Sequence, residues 1–191
     1  MEGIDNRQYS GLASYQEYQF SYYRENSIFT TLIIADFGVS IWILDYVWGS
    51  AGAEKVLWWP IAILAMTLPY LIALKCKWNY SVTFFCAAIT ILSWEVGYIN
   101  VLNQLDVNVE YGLVGFILFV LMPPLMMMGF SLTTNINMMA IIVGLPVVYA
   151  SLGYAHQLDL MRYLVLIIPL SIISVVANYI LIKLYYIRRE Y

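Results

Sequence analysis

Ionisable side chains inside an otherwise apolar chain are where chemistry is sought first. Burying one in hydrocarbon is costly unless it faces a partner or a cavity. Asp36, Asp45 and Glu95 each fall within a long apolar stretch. Trp94, Tyr98 and Asn100 surround Glu95 in sequence, and Trp48 follows Asp45. Asp45 lies near the outer end of the first stretch and Glu95 in the outer half of the third, so both approach one membrane level. Asp45, Trp48, Glu95, Tyr98 and Asn100 are therefore the expected lining of a ligand pocket open to the outside, with Trp42, Trp58 and Trp59 nearby. Aromatic walls carrying a few fixed polar groups are the usual pattern of a small-molecule site. The competing reading is that Glu95 is protonated or paired by a neighbour and serves packing alone. Asp36 lies about two turns inside the first stretch, and Asn178 at a similar depth in the last. They are expected to hydrogen-bond, either as a signal relay or as a tie between the first and last helices.

Other chemistries lack their residues. His156 is the only histidine and sits near Asp159 without the ligand spacing of a zinc motif, so no metal is expected. A haem held by two histidines of one chain is impossible. Met122, Met126, Met127, Met128, Met138 and Met139 are soft enough for Cu(I), but flexible packing around Pro123 and Pro124 is the expected role. Cys76 and Cys86 lie ten residues apart in sequence, read as a helical rise of about 15 Å, beyond disulfide reach. No Ser–His–Asp set, His-Glu-x-x-His or phosphate-binding glycine loop appears. No catalytic residue and no cofactor are expected, and this chain is not read as an enzyme. A net charge of -3 without a basic patch argues against nucleic acid.

The elements that must position these residues are legible from composition. The chain is 62% hydrophobic and 11% charged, whereas soluble domains carry roughly 25% charged residues. Six apolar stretches begin near Ile28, Val56, Trp78, Gly112, Met138 and Tyr163. A crossing helix needs about 20 mostly apolar residues. The expected fold is all-α, a polytopic membrane protein with six transmembrane helices over 27–48, 56–74, 78–101, 112–130, 138–153 and 163–184. Runs such as 165–170 do not alternate, which argues against a β-barrel. Residues 1–27 form a polar segment in which Tyr15, Tyr18 and Tyr22 recur at near-helical spacing. That stripe suits an N-terminal interfacial helix at the headgroup level, or a short helix packed on the bundle. The expected organisation is thus 1–27 interfacial, 28–184 the six-helix domain, and 185–191 the start of a signalling helix. All six prolines fall inside spans, and Pro123-Pro124 should give the sharpest bend. Arg7, Arg24, Lys75, Lys77, Lys183, Arg188 and Arg189 share one side, against Lys55 and Arg162 on the other. The positive-inside rule then puts both termini in the cytoplasm.

The last helix has no stop signal. Beyond Asn178 the chain runs to Tyr191 without glycine, proline or cap, while Leu181, Leu184 and Ile187 keep a helical stripe. The expectation is a chain cut from a longer one, whose last helix runs on into a coiled coil. Tyr18, Phe20 and Tyr22-Tyr23-Arg24 before the first span, six spans on short loops, and the exit Ala177-Asn178-Tyr179, Leu184-Tyr185 and Arg188-Arg189 resemble the membrane-associated sensor (MASE-type) input domains. Those modules precede diguanylate or adenylate cyclase domains in bacteria, and six-helix sensors of some histidine kinases are similar. The resemblance implies a sensory input domain in the bacterial inner membrane. Its implied partners are the lipid bilayer, a small hydrophobic ligand and a second copy, dimerised through the C-terminal helix. It implies relay through helix six to a cyclase making c-di-GMP or cAMP, and it hands over no ligand residues. The alternative is the substrate-binding membrane subunit of a vitamin or other small-molecule transporter. Against that, the chain is tyrosine-rich, with 17 tyrosines, where such subunits are rich in glycine and alanine.

Overall fold

Without water in the hydrocarbon core, a backbone must satisfy its own N–H and C=O groups, and long apolar runs do so as helices. The computed structural model describes residues 12–47, 53–105, 109–127, 129–155 and 158–190. These form α1 (Leu12–Val47), a 3-10 turn (Ala53–Val56), α2 (Trp58–Lys75), α3 (Tyr80–Gln104), α4 (Val109–Met126), α5 (Leu132–Ser151) and α6 (Leu160–Glu190). No strand occurs among the described residues. Among the described residues, five helical stretches are long and apolar enough to cross a membrane: Gln19–Leu44, Glu54–Lys75, Tyr80–Gln104, Leu132–Ser151 and Leu160–Leu181. The apolar stretch of α4, Gly112–Met122, is shorter.

Lipid rather than water suits the outer surface. Ile61 is 71% exposed and Val165 72%, while Thr31, Thr67, Thr83, Thr90, Asn135, Ser174, Asn178 and Glu95 are buried. A water-soluble bundle would reverse that distribution. Inside, α4 is central. It packs on α1 and α3 to one side and on α5 and α6 to the other, while α2 is clasped between α1 and α3.

Several boundaries differ from the sequence expectation. No break separates an interfacial segment from the first span: α1 is one helix of 36 residues, about 54 Å long. Neither glycine nor proline occurs between Leu12 and Phe37 to interrupt it. Phe20 and Tyr23 are buried, and the Phe20 ring packs against Tyr80 at 5.7 Å and Phe130 at 5.3 Å. The side chains of Tyr15 and Tyr18, on which the interfacial stripe was read, lie outside the described residues. The fourth helix stops at Met126, short of the expected 130. The polar stretch 131–137, expected as a loop, belongs mostly to α5, because the Ser131 side chain caps the helix by accepting from the Thr134 N–H at 3.2 Å. A glycine in the left-handed region, Gly153 at φ 78°, closes α5, with Gly153 N–H donating to Ala150 O and Tyr154 N–H to Tyr149 O. The last helix runs unbroken to Glu190.

Candidate functional site

Two features meet on α4: an apolar cavity on one face and a polar junction at its C-terminal end. The cavity, about 180 Å³, lies between α1, α2, α3 and α4. Ile34, Gly38 and Ile41 of α1, Trp59 and Ile63 of α2, and Trp94 and Tyr98 of α3 form three of its walls. The fourth is Val114, Gly115, Leu118, Phe119 and Met122, a spacing that keeps one face of α4 turned to the space. Glycine is required twice to seat the aromatic walls. A Cβ at Gly97 would overlap the Trp59 ring, and one at Gly115 would overlap Tyr98. Tyr98 is fixed further by its hydroxyl, which donates to Gly112 O at 3.0 Å, and by an edge-on contact with Phe116 at 5.3 Å. Trp94 Nε1 donates to Ile63 O at 3.3 Å.

The junction follows from the proline pair. Proline has no N–H, so Pro124 cannot bond the carbonyl four residues earlier, that of Val120. Ser174 of α6 supplies the missing donor, its Oγ lying 2.7 Å from Val120 O. Side chains also close the end of the helix. The Tyr70 hydroxyl of α2 donates to Met126 O at 2.9 Å. Asn135 of α5 donates from Nδ2 to Met127 O at 3.3 Å and to Asn178 Oδ1 of α6 at 3.1 Å. Tyr70, Asn135, Ser174 and Asn178 are all buried. Ser174 and Asn178 are one turn apart on one stripe of α6; Ser174 bonds α4 directly, and Asn178 reaches its end only through Asn135 of α5.

The residues expected from sequence are only partly brought together. Tyr98 stands on the cavity wall. Glu95 does not line that cavity. It is fully buried, and neither of its carboxyl oxygens has a hydrogen-bond partner among the described residues. Tyr163 of α6 is buried, and its hydroxyl donates to Val143 O at 3.1 Å. Asn100 is exposed. Asp45 belongs to α1, but its side chain, like Trp48 and His156 altogether, lies outside the described residues. Asn178 is bonded to Asn135 where Asp36 was expected, and Asp36 is exposed on α1. Sequence reasoning missed Tyr70, Asn135 and Ser174. The available signal was the Val120 carbonyl, which needs a donor because of Pro124, together with the small polar pair at 174 and 178. No group of three or more His, Cys, Asp or Glu side chains suited to a metal occurs among the described residues.

Residues 43–191 fit the family model MASE8. No curated protein and no solved structure matches the chain.

Proposed function

We propose, since this chain belongs to the MASE8 family of membrane-associated sensor domains, that it works by reading the occupancy of the α1–α4 cavity and passing it through α4 to α6. The observation that carries this is the double duty of α4. Residues 114–122 wall the cavity, and within that same stretch Val120 is bonded by Ser174 of α6. An apolar molecule or a change of membrane state that reshapes the cavity thereby acts on α6. An occupant shifts the equilibrium only by its difference in affinity between two arrangements.

The output end of this reading is the unbroken α6, reaching Glu190. Beyond it we place a cytoplasmic nucleotide cyclase making c-di-GMP or cAMP, with a parallel dimer formed through α6. Both termini then face the cytoplasm at a bacterial inner membrane, as the Lys and Arg placement supports. The ligand is small and hydrophobic. A polar substrate of the vitamin-importer kind finds little support, because Trp94 Nε1 and the Tyr98 hydroxyl on the wall are already bonded to backbone.

The test joins the chain through α6 to a diguanylate cyclase domain and measures c-di-GMP formation. Ser174→Ala cuts the α6–α4 bond, and Leu118→Trp fills the cavity. Both are expected to change output by roughly 5–150-fold, the usual range of allosteric coupling, with membrane insertion unchanged. Unaltered output from both variants removes the reading.

A further inference from the structure

The α1–α4 cavity has an unusual poverty of polar atoms, and that restricts its occupant. Three polar side-chain atoms belong to its lining residues. Trp94 Nε1 donates to Ile63 O and the Tyr98 hydroxyl to Gly112 O. The third is the Trp59 indole N–H, an uncharged donor. No cation is present for a carboxylate or phosphate, and no carboxylate for an amine. A ligand with a polar headgroup would leave that group unpaired in the cavity, which is unfavourable. Hydrocarbon alone suits the walls.

Size and surroundings choose among hydrocarbons. A dry apolar cavity of about 150 Å³ takes up benzene, so 180 Å³ seats on the order of six to eight carbons, a fraction of a lipid tail. The space is not sealed. Val114 on its α4 wall is 57% exposed, so the remainder of a longer chain can stay outside. The walls belong to helical stretches that carry the apolar lengths needed to cross a bilayer, together with α4 between them. Exposed Ile33, Phe37 and Leu64 coat the same helices, so acyl chains are the medium at the opening.

We propose that the cavity holds the end segment of one acyl chain of a bilayer lipid, entering laterally past Val114 while its headgroup stays at the membrane surface. This rests on the sensor reading above and deepens it: the input is the supply or shape of lipid tails. Straight, short, branched or unsaturated chains fill the space differently, and α4 registers the difference.

Photolabelling tests it on the unaltered chain. The protein is reconstituted in phosphatidylcholine vesicles containing a lipid with a diazirine in one acyl chain, irradiated, digested and mapped by mass spectrometry. The expected result is adducts on Ile63, Trp94 and Phe119, buried wall residues that lipid on the outer surface does not reach. Leu118→Trp should reduce those adducts several-fold while labelling of outward-facing Ile61 persists, which also reports an intact fold. If Leu118→Trp fails to insert, Val114→Trp at the opening replaces it. Adducts confined to outward-facing residues overturn the proposal. A parallel arm uses unlabelled vesicles and a free diazirine-bearing hydrocarbon of six carbons. Wall labelling by that probe alone overturns the lipid as source but leaves a hydrophobic-ligand sensor standing. Labelling by neither probe overturns both readings. Wall labelling by lipid with cyclase output indifferent to chain type sustains the site and overturns the sensing.

Discussion

Replacing Glu95 by methionine should make this protein more stable. Glu95 is fully buried, and both carboxyl oxygens lack a hydrogen-bond partner among the described residues. Leaving a buried polar group unsatisfied costs about 1–3 kcal/mol. Methionine removes the polar atoms, keeps an unbranched chain of similar reach and adapts to irregular space. The gain is therefore expected at about 1–3 kcal/mol, since the wild type bears that cost and the variant does not. For a domain of this size each kcal/mol shifts Tm by about 2–4 °C, so the rise should be about 2–12 °C. Thermal unfolding of the reconstituted chain, followed by tryptophan fluorescence, measures it. Glu95→Gln keeps two hydrogen-bonding groups in the same place and should show no comparable gain. A Met variant that melts several degrees below wild type would refute the reasoning, because it would mean the carboxyl has a partner worth more than its burial costs. Cyclase output separates the two readings of Glu95. A stabilised variant with normal output makes the residue a packing group, and a stabilised variant with altered output makes it a functional one.

Three further outcomes follow from the geometry. Gly115→Ala places a Cβ on the Tyr98 ring. Displacing that ring breaks its bond to Gly112 O and should cost about 1–3 kcal/mol, the usual penalty of overpacking, read as a lower unfolding temperature together with altered cavity photolabelling. Asn178→Leu and Asp36→Asn should behave differently. The first removes the bond from Asn135 and should cost about 0.6 kcal/mol, at most about 1.7, while changing cyclase output; the second touches an exposed residue and should leave stability within about 0.5 kcal/mol and output unchanged. Equal effects of the two on output would restore the expected Asp36–Asn178 relay. Gly153→Ala forces a Cβ onto a backbone at φ 78° and should destabilise the end of α5 by about 1–2 kcal/mol, visible as faster amide exchange over 149–154.

The helices were legible because their signal is a sum. Roughly twenty apolar residues in a row give the same answer whichever few are changed, so α2, α3 and α6 fall close to where composition puts them. The ends were less legible because single side chains set them. Ser131 turns a polar loop into the first turn of α5 through one hydrogen bond, and α1 continues across Ser27 because nothing there breaks it. Of the residues expected to line one pocket, Tyr98 stands on a cavity wall and Glu95 does not, for a physical reason. Glu95 and Tyr98 are three residues apart on α3, a separation that composition treats as one neighbourhood. On the folded helix Tyr98 turns toward α4 and the cavity, while Glu95 is buried away from it. Membrane depth can be counted along a sequence, but the facing of a side chain depends on which helices surround it. Pairing Asp36 with Asn178 by depth failed in the same way, since Asn135 of α5 is the residue that meets Asn178.

The strength of the polar junction bears on whether α4 can carry a signal at all. An ordinary helix end is fastened by its own ladder, and moving it means breaking backbone bonds in hydrocarbon, where each unpaired group costs several kcal/mol. The proline pair has already removed two of those donors, the ones for Phe119 O and Val120 O. Side chains hold that end as well: Ser174 on Val120 O, Tyr70 on Met126 O, and Asn135 on Met127 O beside the Phe130 N–H. Such interhelical bonds average about 0.6 kcal/mol and reach about 1.7. A coupling of 1–3 kcal/mol therefore matches the exchange of one or two of them. Apolar packing of Phe116 against Tyr163, at 5.2 Å, keeps α4 and α6 together on the other side of that exchange. The cavity face lies immediately before this weakened end, with Phe119 and Met122 in the turn that leads into it. Under the proposed function, filling or emptying the cavity works on the part of α4 that has lost two backbone bonds, and α6 supplies one of the side chains that hold it.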